Sequence, residues 1–458
     1  MNRLNKLLFF LICATVIFTT LAYGTVHQPV IAAFYVIVAL LAILWSADSL
    51  INAEIRLSRS VLQIPLAMLC AYAAIQVIPF GSISESADIS SVPRTISVDP
   101  FSTQVTALHI FAICIFFAIT LVYLDNAARL RRIVTVLTIF GFIYAFYAIL
   151  QFVLSPDKIY GIYKPQSARP FGSFVNRHDF AAIIEMVIAI PIGMIFSGAV
   201  KGDKRLLYFV AIALMASSML LSGSRGGLVA LIAEVVFIVI STSRSEGRKS
   251  VVLKLALSAV LVVAAVGGAV LVGGDTSLTR FSDAATSDNV SSSRTQIWGV
   301  TLKVIAANMP FGAGLGAFGQ AFTRFDDSGG LLRVEQAHND YLQIAADAGV
   351  VGLIIGGLFL YWFFREGIKN SSGTNTFRRG VAVGAFAGCF AILIHSLFDF
   401  VLHITAISIM FTTLMAMLVA SGREFDDDEP NAEEPRKRTA KSASVTSIEE
   451  RQRSRIAS

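Results

Sequence analysis

Charge is scarce in this chain. Only 15% of its 458 residues are Asp, Glu, Lys or Arg, where soluble domains carry about 25%. Cysteine is scarcer still. Cys13, Cys70, Cys114 and Cys389 stand singly inside apolar runs. That excludes a disulfide framework and a C-x-x-C metal site, and leaves the thiols as small packing residues. There are six histidines, with no H-E-x-x-H and no D-x-D carboxylate pair in the loops of interest, so no metal centre is implied. Tandem repeats are also missing.

Apolar sequence is what the chain has in excess. Hydrophobic residues make up 55% and the mean hydropathy is +0.69. Many runs reach the ~20 residues that cross a bilayer as helix, and in lipid the backbone must bond within each segment. We count about twelve: roughly 7–23, 30–47, 60–79, 104–124, 133–154, 179–199, 206–222, 226–242, 251–272, 349–364, 381–400 and 403–421. The expected fold class is all-α, a polytopic membrane protein with one large, partly helical periplasmic loop. The first run follows Arg3 and Lys6, but no small-x-small cleavage site follows it, so it reads as a retained helix.

Positive charge orders these spans. Arg56 and Arg59, Arg129, Arg131 and Arg132, Lys201, Lys204 and Arg205, Arg244, Arg248 and Lys249, and Arg365, Lys369, Arg378 and Arg379 fall on one side of alternate helices. By the positive-inside rule that side is the cytoplasm, with both termini there. The net charge of +6 follows from this scatter and gives no support to nucleic-acid binding. The tail, 422–458, has an acidic block and then a basic one, and reads as disordered and cytoplasmic.

Three connections on the opposite side are long: 80–103, 155–178 and 273–348. The last is the longest. In it, "SSSRTQIWGVTLKVIAANMP" reads as an amphipathic helix capped by Ser292 or Ser293, with Ile297, Trp298, Thr301, Leu302 and Ile305 as its apolar stripe and Pro310 ending it. Gly314, Gly316 and Gly319 match the dinucleotide fingerprint G-x-G-x-x-G. No strand precedes them and no βαβ unit fits, so they read as a Gly-rich turn at the membrane surface.

Arginine is depleted on that side near helix ends by the same rule, yet Arg169, Arg177, Arg225, Arg280, Arg294, Arg324 and Arg333 lie there. Arg225, in "SGSRGG", sits in a tight turn close to hydrocarbon. A charge at that depth marks either an anion site or a side chain snorkelling to the headgroups. A cluster of guanidiniums suits a pyrophosphate, which arginine grips bidentately. Arg169, in a turn shaped by Pro170 and Gly172, is either a ligand contact or a structural ion pair. Asp179 reads as the cap of the following span.

His338, in "EQAHNDYLQIAADAG", returns the long loop to the membrane. A neutral imidazole there can take a proton from a hydroxyl, and such base catalysis is worth about 10²–10⁴ in rate. The alternative is a surface histidine bonded to a carboxylate. In "HSLFDFVLHI", His395 and Asp399 are four apart, the spacing of a pair on one helix face. With Glu185 and Glu234 they lie inside expected spans, as packing groups or as a proton path.

"RPFGSFVNRHDFAA", "SGSRGG", "SSSRTQIWGVTLKVIAANMPFGAGLGAFGQAF" and "EQAHNDYLQIAADAGVVGL", in this order, resemble the O-antigen ligase superfamily, which also holds polysaccharide polymerases and protein O-oligosaccharyltransferases. The resemblance covers about 165–365. It implies a metal-independent glycosyltransferase without cofactor. Such an enzyme moves a preassembled glycan from undecaprenyl pyrophosphate to an acceptor hydroxyl, for example on lipid A–core, at the periplasmic face of the bacterial inner membrane. By position, Arg225 and Arg294 resemble the family arginines that hold the pyrophosphate, Arg169 a further loop arginine, and His338 the histidine that activates the acceptor. The implied organisation is 1–154 as N-terminal spans, 155–365 as the catalytic region with loop 273–348, 366–421 as C-terminal spans and 422–458 as the tail. A polymerase remains the near alternative. The R-x(10)-G motifs often described for polymerases are missing, because no arginine on that side has Gly eleven residues on. A transporter is the alternative of another class.

Overall fold

The computed structural model describes residues 3–81, 94–166, 168–243, 288–326 and 333–424, with scattered positions between 252 and 267. The span expected at 251–272, Arg280 and the tail beyond 424 lie outside the described residues. All contacts given below fall within the unit Met1–Arg423.

In chain order the helices are α1 (Arg3–Leu21), α2 (Gln28–Asn52), α3 (Gln63–Gln76), α4 (Pro100–Tyr123), α5 (Ala127–Leu154), α6 (Arg177–Phe196), α7 (Gly202–Ser222), α8 (Arg225–Ser243), α9 (Asp288–Asn308), α10 (Phe318–Thr323), α11 (Asp340–Ser371), α12 (Thr376–His395) and α13 (Thr405–Ser421). Among the described residues there is no strand, only isolated bridges. Eleven of the twelve expected runs coincide with helices. Nine of these are long and apolar enough to cross a membrane, while α3 and α13 are shorter apolar helices.

Short polar residues start these helices by accepting from the first free amides. Asp99 accepts from Ser102 N, Asn126 from Arg129 N and Asn375 from Arg378 N. Asn176 caps α6 through His178 N at 3.1 Å. The expected cap, Asp179, lies instead in the first turn and is buried.

The core is built on α6, which is buried along nearly its whole length and packs most extensively on α12. Gly380, Gly384 and Gly388 recur every fourth residue on α12. A Cβ at Gly384 would lie 2.8 Å from Ala189 O, and one at Gly193 of α6 would lie 2.6 Å from Gly384 N. The two backbones touch because no side chain separates them, the small-x-x-x-small packing of membrane helices.

One end of the bundle is stapled by Arg129. Its guanidinium is 1% exposed, pairs with Asp125 at 2.8 Å and donates to Tyr123 O at 3.0 Å and Asn5 O at 3.1 Å. At the same end the Tyr123 hydroxyl donates to Asp48 at 2.8 Å.

At the opposite end, α9 covers the start of α11. Val300, Val304, Ala313, Phe318, Phe322, Ala337 and Ala346 form a small core, edged by Ile297, Ile305 and Leu342. Of the stripe expected on α9, Ile297, Thr301 and Ile305 face this core, whereas Leu302 is 56% exposed and Val300 and Val304 point inward in its place. The helix also starts at Asp288, upstream of Ser292 and Ser293.

The Gly-rich turn has a structural task. α11 breaks at Gly349 (φ 58°, ψ −144°), and the turn after α9 fills the break. Val350 N donates to Pro310 O at 2.9 Å, Ala313 N to Ala346 O at 2.8 Å and Gly314 N to Asp347 O at 2.9 Å. A Cβ at Gly349 would sit 2.1 Å from Pro310 O. The orphan amide and carbonyls of the broken helix are satisfied by the loop it holds.

Candidate active site

Asp399 is the centre of the site. It lies in the turn after α12 and its side chain is 3% exposed. Its Oδ1 is 2.9 Å from His338 Nδ1 and its Oδ2 is 3.3 Å from Arg294 Nη2. Phe400 N donates to Oδ1 at 3.0 Å. Burial alone would raise the Asp399 pKa. The hydrogen bond from His338 and the charges of His178, Arg294 and His338 together outweigh it, so the carboxyl is held well below its ordinary value.

This geometry favours one His338 tautomer. An ionised carboxylate is acceptor-only, so Nδ1–H donates to Asp399 and the lone pair of the neutral ring lies on Nε2. The side chain is 33% exposed, while the Phe400 ring meets it edge-on at 4.9 Å. The imidazole is thus held through one nitrogen while its side chain stays one-third exposed.

The backbone around His338 is held as firmly. Trp298 Nε1 donates to Ala337 O at 3.0 Å, and Ala337 N donates to Gln343 Oε1 at 2.7 Å. Gln343 in turn donates to Asp347 at 3.1 Å. His338 itself adopts φ 50°, a left-handed conformation in which histidine is enriched but which remains unusual. His338 therefore directly precedes α11. Asn339 caps the helix through Tyr341 N at 2.9 Å and Leu342 N at 3.0 Å.

The two carboxylates flanking His338 in sequence have other partners. Glu335 pairs with Arg333. Asp340 accepts from Ser396 Oγ at 2.7 Å and Leu402 N at 3.2 Å and pairs with His403 Nδ1 at 2.8 Å. The 338–340 and 399–403 turns are thus cross-linked twice, His338 to Asp399 and Asp340 to His403.

Arg294 presents a guanidinium that is 24% exposed. Arg225 opens α8 and is exposed. Ser224, just before it, bonds His178 Nδ1 at 2.9 Å and accepts from Gly227 N at 3.2 Å. The start of α8 abuts the turn that carries Asp399, since a Cβ at Gly226 would meet His395 at 3.0 Å and Phe398 at 3.3 Å. Arg169 is exposed on the α5–α6 connection, and its carbonyl accepts from Arg177 N at 3.0 Å. Arg294 and His338 thus meet on one carboxylate, Arg225 borders the same turn, and Arg169 stands on the next connection.

His395 and Asp399 do not pair, which corrects the spacing argument. α12 ends at His395, so Asp399 is off the helix. His395 Nδ1 instead bonds Glu185 at 3.0 and 3.2 Å inside the bundle. Among the described residues no cluster of His, Cys, Asp and Glu could hold a metal ion.

Apolar helices of membrane length, with an imidazole and a guanidinium held on one buried carboxylate at one end, define a multi-pass membrane protein with an enzyme-like site. Residues 210–356 match the O-antigen ligase family model. The match supports the O-antigen ligase superfamily, the family that the motifs resemble, and an O-antigen ligase-type membrane enzyme. It contains Arg225, Arg294 and His338; Arg169 and Asp399 lie outside it. No curated protein matches the chain.

Proposed function

We propose that the protein transfers a preassembled glycan from undecaprenyl pyrophosphate to an acceptor hydroxyl, in the manner of a ligase. The carrying observation is the Asp399 carboxylate that joins His338 to Arg294. The acceptor oxygen attacks the anomeric carbon, and His338 Nε2 takes its proton. A new C–O bond forms as the bond to the pyrophosphate oxygen breaks, and undecaprenyl pyrophosphate leaves with the electron pair. Arg294 and Arg225 offset the developing charge, and Arg169 contacts the donor from the α5–α6 connection. Arg225 also stands at the amino end of α8, where the helix dipole favours an anion.

By the distribution of Lys and Arg, this end faces the periplasm and the termini face the cytoplasm of the inner membrane. Lipid A–core is the acceptor expected of a ligase. A polymerase would use the same groups, and the missing R-x(10)-G motifs favour the ligase.

The test is a gel of cell-surface polysaccharide and lipid-linked glycan. It compares a deletion strain, the strain with the wild-type protein restored and strains with His338→Ala or Asp399→Asn. Long glycan accumulating on undecaprenyl pyrophosphate, with acceptor-linked glycan lost, supports the ligase. Single repeat units on the acceptor mark a polymerase. An unchanged gel with His338→Ala sinks the assignment of the base. If activity depended instead on Glu185 and His395 with His338 dispensable, the protein would be a transporter.

A further inference from the structure

The end of the bundle that carries His338 also carries an aromatic platform that the reaction above does not use. The α1–α2 turn supplies Tyr23 and His27, and the α5–α6 connection supplies Tyr160 and Tyr163. The Tyr23 ring meets His27, Tyr160 and Tyr163 edge-on, with centroids 5.4, 5.7 and 5.6 Å apart. His27 meets Tyr163 at 5.4 Å. Tyr160 stacks on Tyr147 at 5.6 Å, and Tyr147 on Tyr144 at 6.4 Å, so a ladder of rings supports the platform from the interior. At its top, Tyr160 is 39% and Tyr163 37% exposed.

The backbone beneath these rings is held in an unusual conformation. Tyr23, Thr25 and Tyr160 have φ of 56°, 58° and 55°, and His338 shares this property. Bulky side chains rarely adopt left-handed backbone, and such positions gather at ligand clamps and active sites. The platform is also tied to the site. Thr405 Oγ1 donates to Thr25 O at 3.1 Å, two residues after the His403 that pairs with Asp340. Phe174, on the same connection as Arg169, packs over Gly24.

We propose that Tyr23, His27 and Tyr163 form a sugar-binding subsite that seats a ring of the glycan chain during transfer; the choice of a glycan as ligand rests on the transfer reading above. A pyranose has an apolar C–H face and a rim of hydroxyls. It matches rings that offer a face together with a polar tip. Neither the His27 ring nor the Tyr163 hydroxyl makes a hydrogen bond among the described residues. Against an acyl chain those polar atoms would be left dry at a cost, whereas against a sugar they find partners.

The experiment uses the full-length protein in detergent micelles. The probe is the oligosaccharide repeat unit released by mild acid from the host's own surface polysaccharide. Binding is followed by saturation-transfer NMR and by titration of intrinsic fluorescence. The wild-type protein should bind. Tyr163→Ala and His27→Ala should weaken binding about tenfold, and Tyr163→Phe, which keeps the ring, about threefold. Thermal unfolding confirms that each variant is folded.

His338→Ala should bind as the wild type does, which separates this subsite from the chemistry. If transfer fails its own test and this binding persists, the platform stands as a sugar site. No binding by the wild-type protein, or equal binding by Tyr163→Ala and His27→Ala, overturns the proposal. So does a loss confined to reconstitution into lipid, which would make the rings an interfacial anchor.

Discussion

Both ends of the bundle hold an arginine against an aspartate, and they hold them in opposite ways. At the Arg129 end the cation is the buried partner. Its guanidinium is 1% exposed while Asp125 is 30% exposed, and its donors go to backbone and side-chain oxygens of three segments. At the His338 end the anion is the buried partner. Asp399 is 3% exposed while Arg294 and His338 are 24% and 33% exposed. A buried guanidinium whose hydrogen bonds run to protein oxygens fastens helices together. A buried carboxylate that turns a cation and an imidazole toward solvent aims them at something else. The same residue types make a staple at one end and a site at the other, and burial of one partner or the other decides which.

The strongest test of this contrast removes the aim without removing the shape. Asp399→Asn is nearly isosteric but no longer fixes the His338 tautomer or opposes Arg294. Glycan transfer by this variant, measured in vesicles with lipid-linked donor, should fall about 10²–10⁴-fold, the range for a disabled general base. His338→Ala should fall as far, and the double variant no further, because the two act as a unit. A clearly additive loss would mean that Asp399 acts outside the dyad.

At the other end the expected effect is on stability. Arg129→Leu leaves Asn5 and the Tyr123 carbonyl without their donor and removes the buried partner of Asp125. The cost should be about 3 kcal/mol, read as a lower apparent Tm in detergent. The transfer rate per folded molecule should stay within about twofold, since Arg129 touches only the staple. Rate loss without destabilisation would erase the distinction between the two ends.

An intermediate loss is expected from the clamp on Ala337. Trp298→Phe and Gln343→Leu each delete one hydrogen bond to the residue before His338. If that clamp holds the ring in register, each should lower the transfer rate about tenfold with little change in donor KM, the effect of about 1.4 kcal/mol on the barrier. A rise in KM with an unchanged rate would assign these residues to binding.

Much of the fold was readable in advance, for local reasons. Apolar runs longer than a bilayer is thick can only be helices, and eleven of the twelve appear as such. The Gly380, Gly384 and Gly388 spacing was equally local. A small-residue stripe of this kind signals a close helix–helix contact, here α6 on α12. The site was legible only in half. His338 and the arginines stand out because each is the wrong polarity for its place. Asp399 does not, because its partners are 61 and 105 residues away in sequence. The i, i+4 rule, which assumes an unbroken helix, pointed it at His395 instead. The break at Gly349 was hidden for the same reason, since its partner Pro310 lies on another segment.

The smallest expected effect is also the one that isolates Asp399 from the fold at large. Its carboxyl is held below the ordinary value in the native protein, so the native state favours the ionised form more than the unfolded chain does. By linkage that stabilisation is complete above the unfolded-state pKa of about 4. It is lost as the pH falls further toward the native value. At neutral pH, Asp399→Asn should therefore melt a few degrees below the wild-type protein, on the order of 3 °C. The gap should hold from pH 8 to about pH 5 and narrow only in more acidic buffer. A gap present only in acid and lost as the pH rises through about 6.5 would place the titrating group on an imidazole. The stabilisation would then belong to a protonated histidine and not to the Asp399 carboxylate.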